Sequence, residues 1–253
     1  MTDQPQKVCL ITGASGLLGR TFCARYRDTY QIAAVYRRER PWLPSQDARV
    51  VDPLESSAVS AENAHPIYAI QADLMQPGQA RRVVEMTLAH YGRIDLLVNA
   101  AVSTLWAPMH DGTTRLVDSV SSQFAMAVDI PLRIATHVSH LFWQQEADRN
   151  RELGRNIVNV SSVAALRVYQ GSGQSIYAAS KAAMDHLTAH MAVEFGRLGV
   201  RVNATAANSF PQIVSVDRAA AAIHALDVCD RTGQLLIVDG EQDSWQPLDS
   251  VFG

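Results

Sequence analysis

Lys7-Val-Cys-Leu-Ile-Thr-Gly-Ala-Ser-Gly-Leu-Leu-Gly19 decides how the rest of this chain is read. Lys7–Thr12 is a short apolar run ended by Gly13, which predicts a buried strand. Gly16–Arg27 carries the pattern of a helix, so the glycine cluster falls where a strand turns into a helix. That context makes a glycine-rich motif a credible nucleotide site. Glycines let the backbone turn tightly beside a pyrophosphate, and a helix start supplies free N–H groups with a partial positive charge. Gly13, Ser15, Gly16, Leu17, Leu18 and Gly19 are the candidate cofactor residues. The alternative is a glycine turn without a ligand.

Further runs repeat the rhythm. Strands are expected at Gln31–Tyr36, Ile67–Gln71, Ile94–Asn99, Asn156–Val160, Val200–Ala204 and Gln234–Val238. Helices are expected at Gln79–Tyr91, Ile176–Leu198 and Val216–Cys229. Short unalternating runs separated by helices indicate an α/β domain, 1–253, with a doubly wound parallel sheet of about seven strands covered on both faces. Residues 39–66 hold Pro41, Pro44, Pro53 and Pro66 and read as an irregular insertion. Residues 241–253 read as a flexible tail. Arg37 and Arg38 end the second strand. An acid often meets the ribose 2′-hydroxyl there, whereas arginine suits a 2′-phosphate, so NADP(H) is favoured over NAD. Two solvated loop arginines are the alternative.

Composition excludes several partner classes. The 253 residues are 47% hydrophobic and 19% charged with a formal charge of −3. That balance argues against nucleic acid or an anionic membrane as the main partner. Residues 1–7 have no hydrophobic signal core and no run could span a bilayer, so a cytoplasmic location is expected. Three scattered cysteines, Cys9, Cys23 and Cys229, read as buried reduced thiols.

Tyr177-Ala-Ala-Ser-Lys181, with Ser161-Ser162 upstream, carries the chemistry. A tyrosine and lysine four apart share one helix face. The ammonium favours phenolate and is expected to lower the phenol pKa from near ~10. Such a phenol exchanges a proton with a carbonyl or alcohol oxygen that a serine holds. His186 and His190 have metal-compatible spacing, but no third ligand has suggestive spacing; they and the pair His137 and His140 read as surface or interface histidines, with no metal expected.

These motifs in this order resemble the short-chain dehydrogenase/reductase family over nearly the whole chain. Gly-Arg-Ile-Asp-Leu-Leu-Val-Asn-Ala-Ala (92–101) is similar to the family's fourth strand and asparagine motif. Ala-Asp-Leu (72–74), Asn-Val-Ser-Ser (159–162), Val-Arg-Val-Asn-Ala (200–204) and 232–240 match further family segments. The resemblance implies a Rossmann-type fold and a nicotinamide cofactor touched by Asp73, Leu74, Asn99, Ala100 and Ala101. It implies Ser162 orienting substrate, Tyr177 as acid/base, and Lys181 tuning the phenol and holding the nicotinamide ribose. It also implies a small-molecule or carrier-bound carbonyl or alcohol substrate, and a homodimer or homotetramer packed through helix residues 182–195.

The departures from the family pattern are specific. The glycine spacing belongs to the extended branch, while the later motifs look classical. Ser162 precedes Tyr177 by fifteen residues, about two more than is usual, so the loop between them should bulge. Residues 100–149 hold no asparagine, and the preferred alignment puts Ala127 where the family's tetrad asparagine supports a proton relay. Only Ser209–Ser215 stands where a substrate-covering segment is usual. That implies an open site, a lid supplied by another chain or segment, or a lost activity, and it leaves room for rival readings: non-redox chemistry on a biosynthetic intermediate, or a catalytically weak cofactor-binding scaffold.

Overall fold

The computed structural model describes residues 6–39, 67–103, 106–111, 114–145, 154–169, 173–240 and 242–251. Most of the insertion, residues 40–66, lies outside these, as do 252 and 253. Eight strands form one sheet in the order β3-β2-β1-β4-β5-β6-β7-β8. They are β1 (Lys7–Thr12), β2 (Tyr30–Tyr36), β3 (Ile67–Gln71), β4 (Leu96–Asn99), β5 (Arg155–Ser162), β6 (Val200–Ala207), β7 (Gln234–Asp239) and β8 (Gln242–Pro247). Pairing is parallel throughout except between β7 and β8. The order reverses between β1 and β4, and the crevice beyond the carboxyl ends there is where ligands bind in open α/β sheets.

Helices cover both faces because the central strands are apolar on both sides. Helices α1 (Leu17–Tyr26) and α6 (Val216–Val228) bury Phe22, Cys23, Ile223 and Leu226 against one face. Helices α2 (Gln79–Tyr91), α4 (Ile130–Val138) and α5 (Ser175–Gly196) bury Val83, Val84, Ile134 and Met191 against the other. Helix α3 (Thr114–Phe124) runs into α4 through a π-helical turn, Ala125–Asp129, and a second such turn follows at Ser139–Trp143. In α5, Met184, Met191 and Ala192 face inward while Val193 points to solvent.

The expected strands and helices fall in place, with β5 and β6 running further toward the site than the apolar pattern indicates. The tail corrects the expectation. Instead of a loose terminus, Gln242–Pro247 pairs antiparallel with β7, and α7 (Leu248–Val251) follows, so the described residues hold eight strands where about seven were expected. Gln-Asp-Ser-Trp-Gln-Pro has one large apolar residue and gives little strand signal. The open edge of β7 supplies the backbone partners. Trp245 packs on the first core, and the Arg231 guanidinium lies 5.1 Å from its ring centroid. Cys229 is likewise only partly buried, whereas Cys9 and Cys23 are buried, and all three are free thiols. No helix among the described residues is long and apolar enough to cross a membrane.

Candidate active site

The glycine turn is built by close backbone approach. Gly13 has φ +71°, and a Cβ there would lie 2.8 Å from the Ala100 carbonyl and from Ala101 N and Cα. A Cβ on Gly19 would run into the Gly13 carbonyl, so α1 can start against the turn only with glycine there. The Thr12 hydroxyl fixes the other wall by accepting from the Ala100 and Ala101 N–H groups at 3.1 and 3.2 Å. Gly16 caps α1 with no side-chain hydrogen bond. Helix-start N–H groups there have no partner within the helix and suit an anion. Gly16 and Leu17 are exposed and Ser15 half-buried at this mouth, while the Leu18 side chain turns into the core.

Arg37 and Arg38 are exposed at the end of β2, and the Arg37 carbonyl accepts from the Gln71 amide at 3.2 Å. Asp73 follows β3, where one carboxylate oxygen accepts from Met75 N at 3.1 Å. Leu74 is buried in the second core, so the backbone and the Asp73 side chain are what this segment offers a ligand. Asn99 ends β4 buried, donating to the Asn159 side chain at 2.8 Å, while its own Oδ1 has no hydrogen-bond partner. Asn159 in turn donates to Thr188 of α5 at 2.8 Å. This chain locks α5 to the sheet beside the crevice.

Helix α5 presents Tyr177 and Lys181 to the end of β5. The Lys181 ammonium is buried; it donates to the Val160 carbonyl at 2.6 Å and lies 5.9 Å from the Tyr177 ring centroid. Burial pulls its pKa down to about 8, against an opposing pull from Asp185. The Ser162 hydroxyl accepts from Ala164 N at 3.2 Å, opening a short 3-10 turn, Val163–Ala165. The nearby Ser162 hydroxyl lowers the Tyr177 pKa, but burial outweighs it and Asp185 adds to the rise, so the phenol sits above its ordinary value. The expected depression by Lys181 is therefore not what this arrangement gives. The ammonium is held against Val160, and desolvation of the phenol is the larger effect.

A cavity of about 680 Å³ opens beside these groups. Ala164 and Ala165, just after Ser162, and Ala178, just after Tyr177, line it with Pro108, Leu166 and Val168. Its volume suits a drug-sized ligand. Arg167 at its edge is paired with Asp239 at 2.6 Å. The short segment Ser209–Ser215 folds as a compact turn with Val214 buried in the first core, so it does not arch over the site. Ala127 is buried within the π-helical turn Ala125–Asp129, which packs near α5 and brings no side-chain amide there. Residues 170–172 of the Ser162–Tyr177 loop lie outside the described residues.

Two groups at the site, Trp106 and Asp185, escaped sequence reasoning, and Ser161 enters it only as the neighbour of Ser162. Trp106 places its ring 5.8 Å from that of Tyr177, from an irregular segment with no periodic signal. Ser161 and Asp185 are buried polar groups beside Lys181. Asp185 was legible in principle, since it follows Lys181 by one helical turn. His186 and His190 approach to 3.3 Å on the exposed side of α5, and no cluster of three metal-ligating side chains occurs among the described residues.

Known proteins resemble this chain in sequence and fold. The short chain dehydrogenase family profile matches residues 7–222. A 3-oxoacyl-(acyl-carrier-protein) reductase of Thermotoga maritima is 30% identical over 79% of this chain and 72% of its own length. A glucose and ribitol dehydrogenase homolog of Arabidopsis thaliana is 29% identical over 79% of this chain, a match that spans only 63% of that relative. The crystal structure of a short chain dehydrogenase from Mycobacterium smegmatis superimposes with a TM-score of 0.74 at 23% identity, covering 94% of this chain and 93% of its own. A nucleotide-type crevice, a Ser–Tyr–Lys end to β5 and α5, and a family match over most of the sequence lead to one assignment: the chain belongs to the short chain dehydrogenase family of oxidoreductases.

Proposed function

We propose that the protein interconverts a carbonyl and an alcohol with NADP(H), using Tyr177 as acid/base, Ser162 to hold the reacting oxygen, and Lys181 to position both phenol and cofactor. The observation that carries this reading is the meeting of Ser162, Tyr177 and the buried Lys181 ammonium at the carboxyl end of β5. The residues present fit a nicotinamide dinucleotide. The turn at Gly13 and Gly19 brings free helix N–H groups to a pyrophosphate, and the orphaned Asn99 Oδ1 faces no protein partner. Bound there, the cofactor supplies hydride transfer to or from the carbonyl carbon. Arg37 and Arg38 would meet a 2′-phosphate, Asp73 and the Leu74 backbone would border the adenine, and Ala100 and Ala101 would line the crevice beside Gly13.

Burial keeps the Tyr177 phenol protonated, and a protonated phenol can donate its proton to a carbonyl oxygen, the step that carbonyl reduction needs. Ser162 donates to the same oxygen as negative charge develops on it. The adjoining cavity, mostly apolar and with its cation neutralised by Asp239, suits a bulky, uncharged substrate. Titration with NADPH and NADH, then a carbonyl screen followed at the nicotinamide absorbance, tests the reading. Tyr177→Phe should abolish turnover and leave cofactor affinity within about twofold; near-parental rates would overturn the mechanism. The rival reading, a cofactor-binding protein with little turnover, draws on Ala127 and the short Ser209–Ser215 turn; it requires tight NADP(H) binding with no carbonyl reduced.

A further inference from the structure

Asp185 is the most anomalous side chain in the described structure. It is 1% exposed, and neither carboxylate oxygen has a hydrogen-bond partner. An isolated buried carboxylate is costly, because nothing replaces the water it loses. Its place on α5 is one turn beyond Lys181, whose ammonium is 4% exposed and holds only the Val160 carbonyl and, weakly, the Met184 sulfur. The two charges share one inward helix face but stop short of a direct ion pair. The Ser161 hydroxyl on β5, also buried and without a well-formed hydrogen bond, is close enough to act on the carboxyl from the sheet side.

We propose that Asp185 is the buried counter-ion of Lys181, a positioning residue that sets the charge of the lysine beside Tyr177. The proposal rests on the reading of Tyr177 and Lys181 given above. The groups that act on Asp185 are few. Ser161 and Lys181 lower its carboxyl pKa, and burial raises it to about 7. Asp185 in turn holds the Lys181 pKa up against burial, and it raises that of Tyr177. The acids on other elements packed against α5 face solvent: Asp118 on α3, Asp129 at the π-helical turn, paired with Arg133 at 2.6 Å, and Asp249 on α7. The carboxyl of Asp185 and the ammonium of Lys181 thus titrate as one unit near neutrality. Where the carboxylate forms, the ammonium is kept; where it is removed, the ammonium is lost at lower pH.

The test is direct titration of Lys181 by NMR of protein carrying ε-carbon-labelled lysine, with and without Asp185→Asn. Two unit charges about 6 Å apart at an effective dielectric near 20 couple by roughly one to two pH units. The Lys181 pKa should therefore fall by about one to two units in the Asn variant. The alkaline limb of the kcat/KM profile should move with it. The unaltered protein supplies a second measurement should Asp185→Asn fail to fold: the Lys181 resonance should show an additional inflection at the ionisation of Asp185. A single inflection in the parent protein, or an unmoved Lys181 pKa in the folded variant, overturns the proposal. Tyr177→Phe decides the catalytic reading separately, since the lysine titration needs no turnover.

Discussion

Gly13→Ala tests whether the crevice owes its shape to backbone contact. The residue has φ +71°, which costs a residue with a Cβ roughly 1–2 kcal/mol. The added Cβ would also stand 2.8 Å from the Ala100 carbonyl and from Ala101 N and Cα. All three are backbone atoms, and Thr12 fixes the amides of both residues, so no side chain can swing away. Overpacking of this kind costs roughly 1–3 kcal/mol more. The expected loss is about 2–5 kcal/mol, together with NADP(H) affinity lowered at least tenfold as the turn shifts. Gly78→Ala is the control: φ is +77°, but no atom lies within 4 Å of the new Cβ, so only the roughly 1–2 kcal/mol backbone cost applies. Urea denaturation followed by tryptophan fluorescence, with cofactor titration of each folded variant, measures both. Equal stability losses for the two variants, or parental cofactor affinity in Gly13→Ala, would refute the reasoning.

Replacing Arg37 and Arg38 together by alanine should weaken NADP(H) binding by at least about ten- to hundredfold while leaving NAD(H) affinity unchanged, because a single charge-assisted hydrogen bond is worth roughly 1.5–3 kcal/mol; isothermal titration with both cofactors reads the ratio. Trp245→Ala should cost about 2 kcal/mol in chemical denaturation, since half-burial loses part of what a core tryptophan contributes, and a silent variant would mean that β8 adds nothing to the core. Asp185 gives a stability signature with a definite sign. Its folded pKa of about 7 lies above the ordinary 3.8, so the folded state binds the extra proton and stability should fall as pH rises from about 4 to about 7. Melting curves across that range should show the fall in the parent protein and its attenuation in Asp185→Asn.

The chain itself determined the sheet order's raw material and the placement of chemistry upon it. Lys7–Thr12 followed by Gly13 and Gly19, and Tyr177 followed by Lys181, are local patterns whose meaning survives without tertiary context. A strand-to-helix turn and a one-turn helix spacing are fixed by backbone geometry alone. What distant segments do to one another was not legible. Gln242–Pro247 becomes a strand because β7 leaves an edge to pair with, not because its own residues favour one. Tyr177 is held above its ordinary pKa because the fold buries the phenol and holds Lys181 against Val160. Trp106 reaches the tyrosine from a segment without periodicity. Asp185 reads as one more polar helix residue until packing seals it beside Lys181. Burial and electrostatic coupling arise between residues brought together only by the completed fold, so the sequence names the reacting groups and the tertiary structure sets their charge.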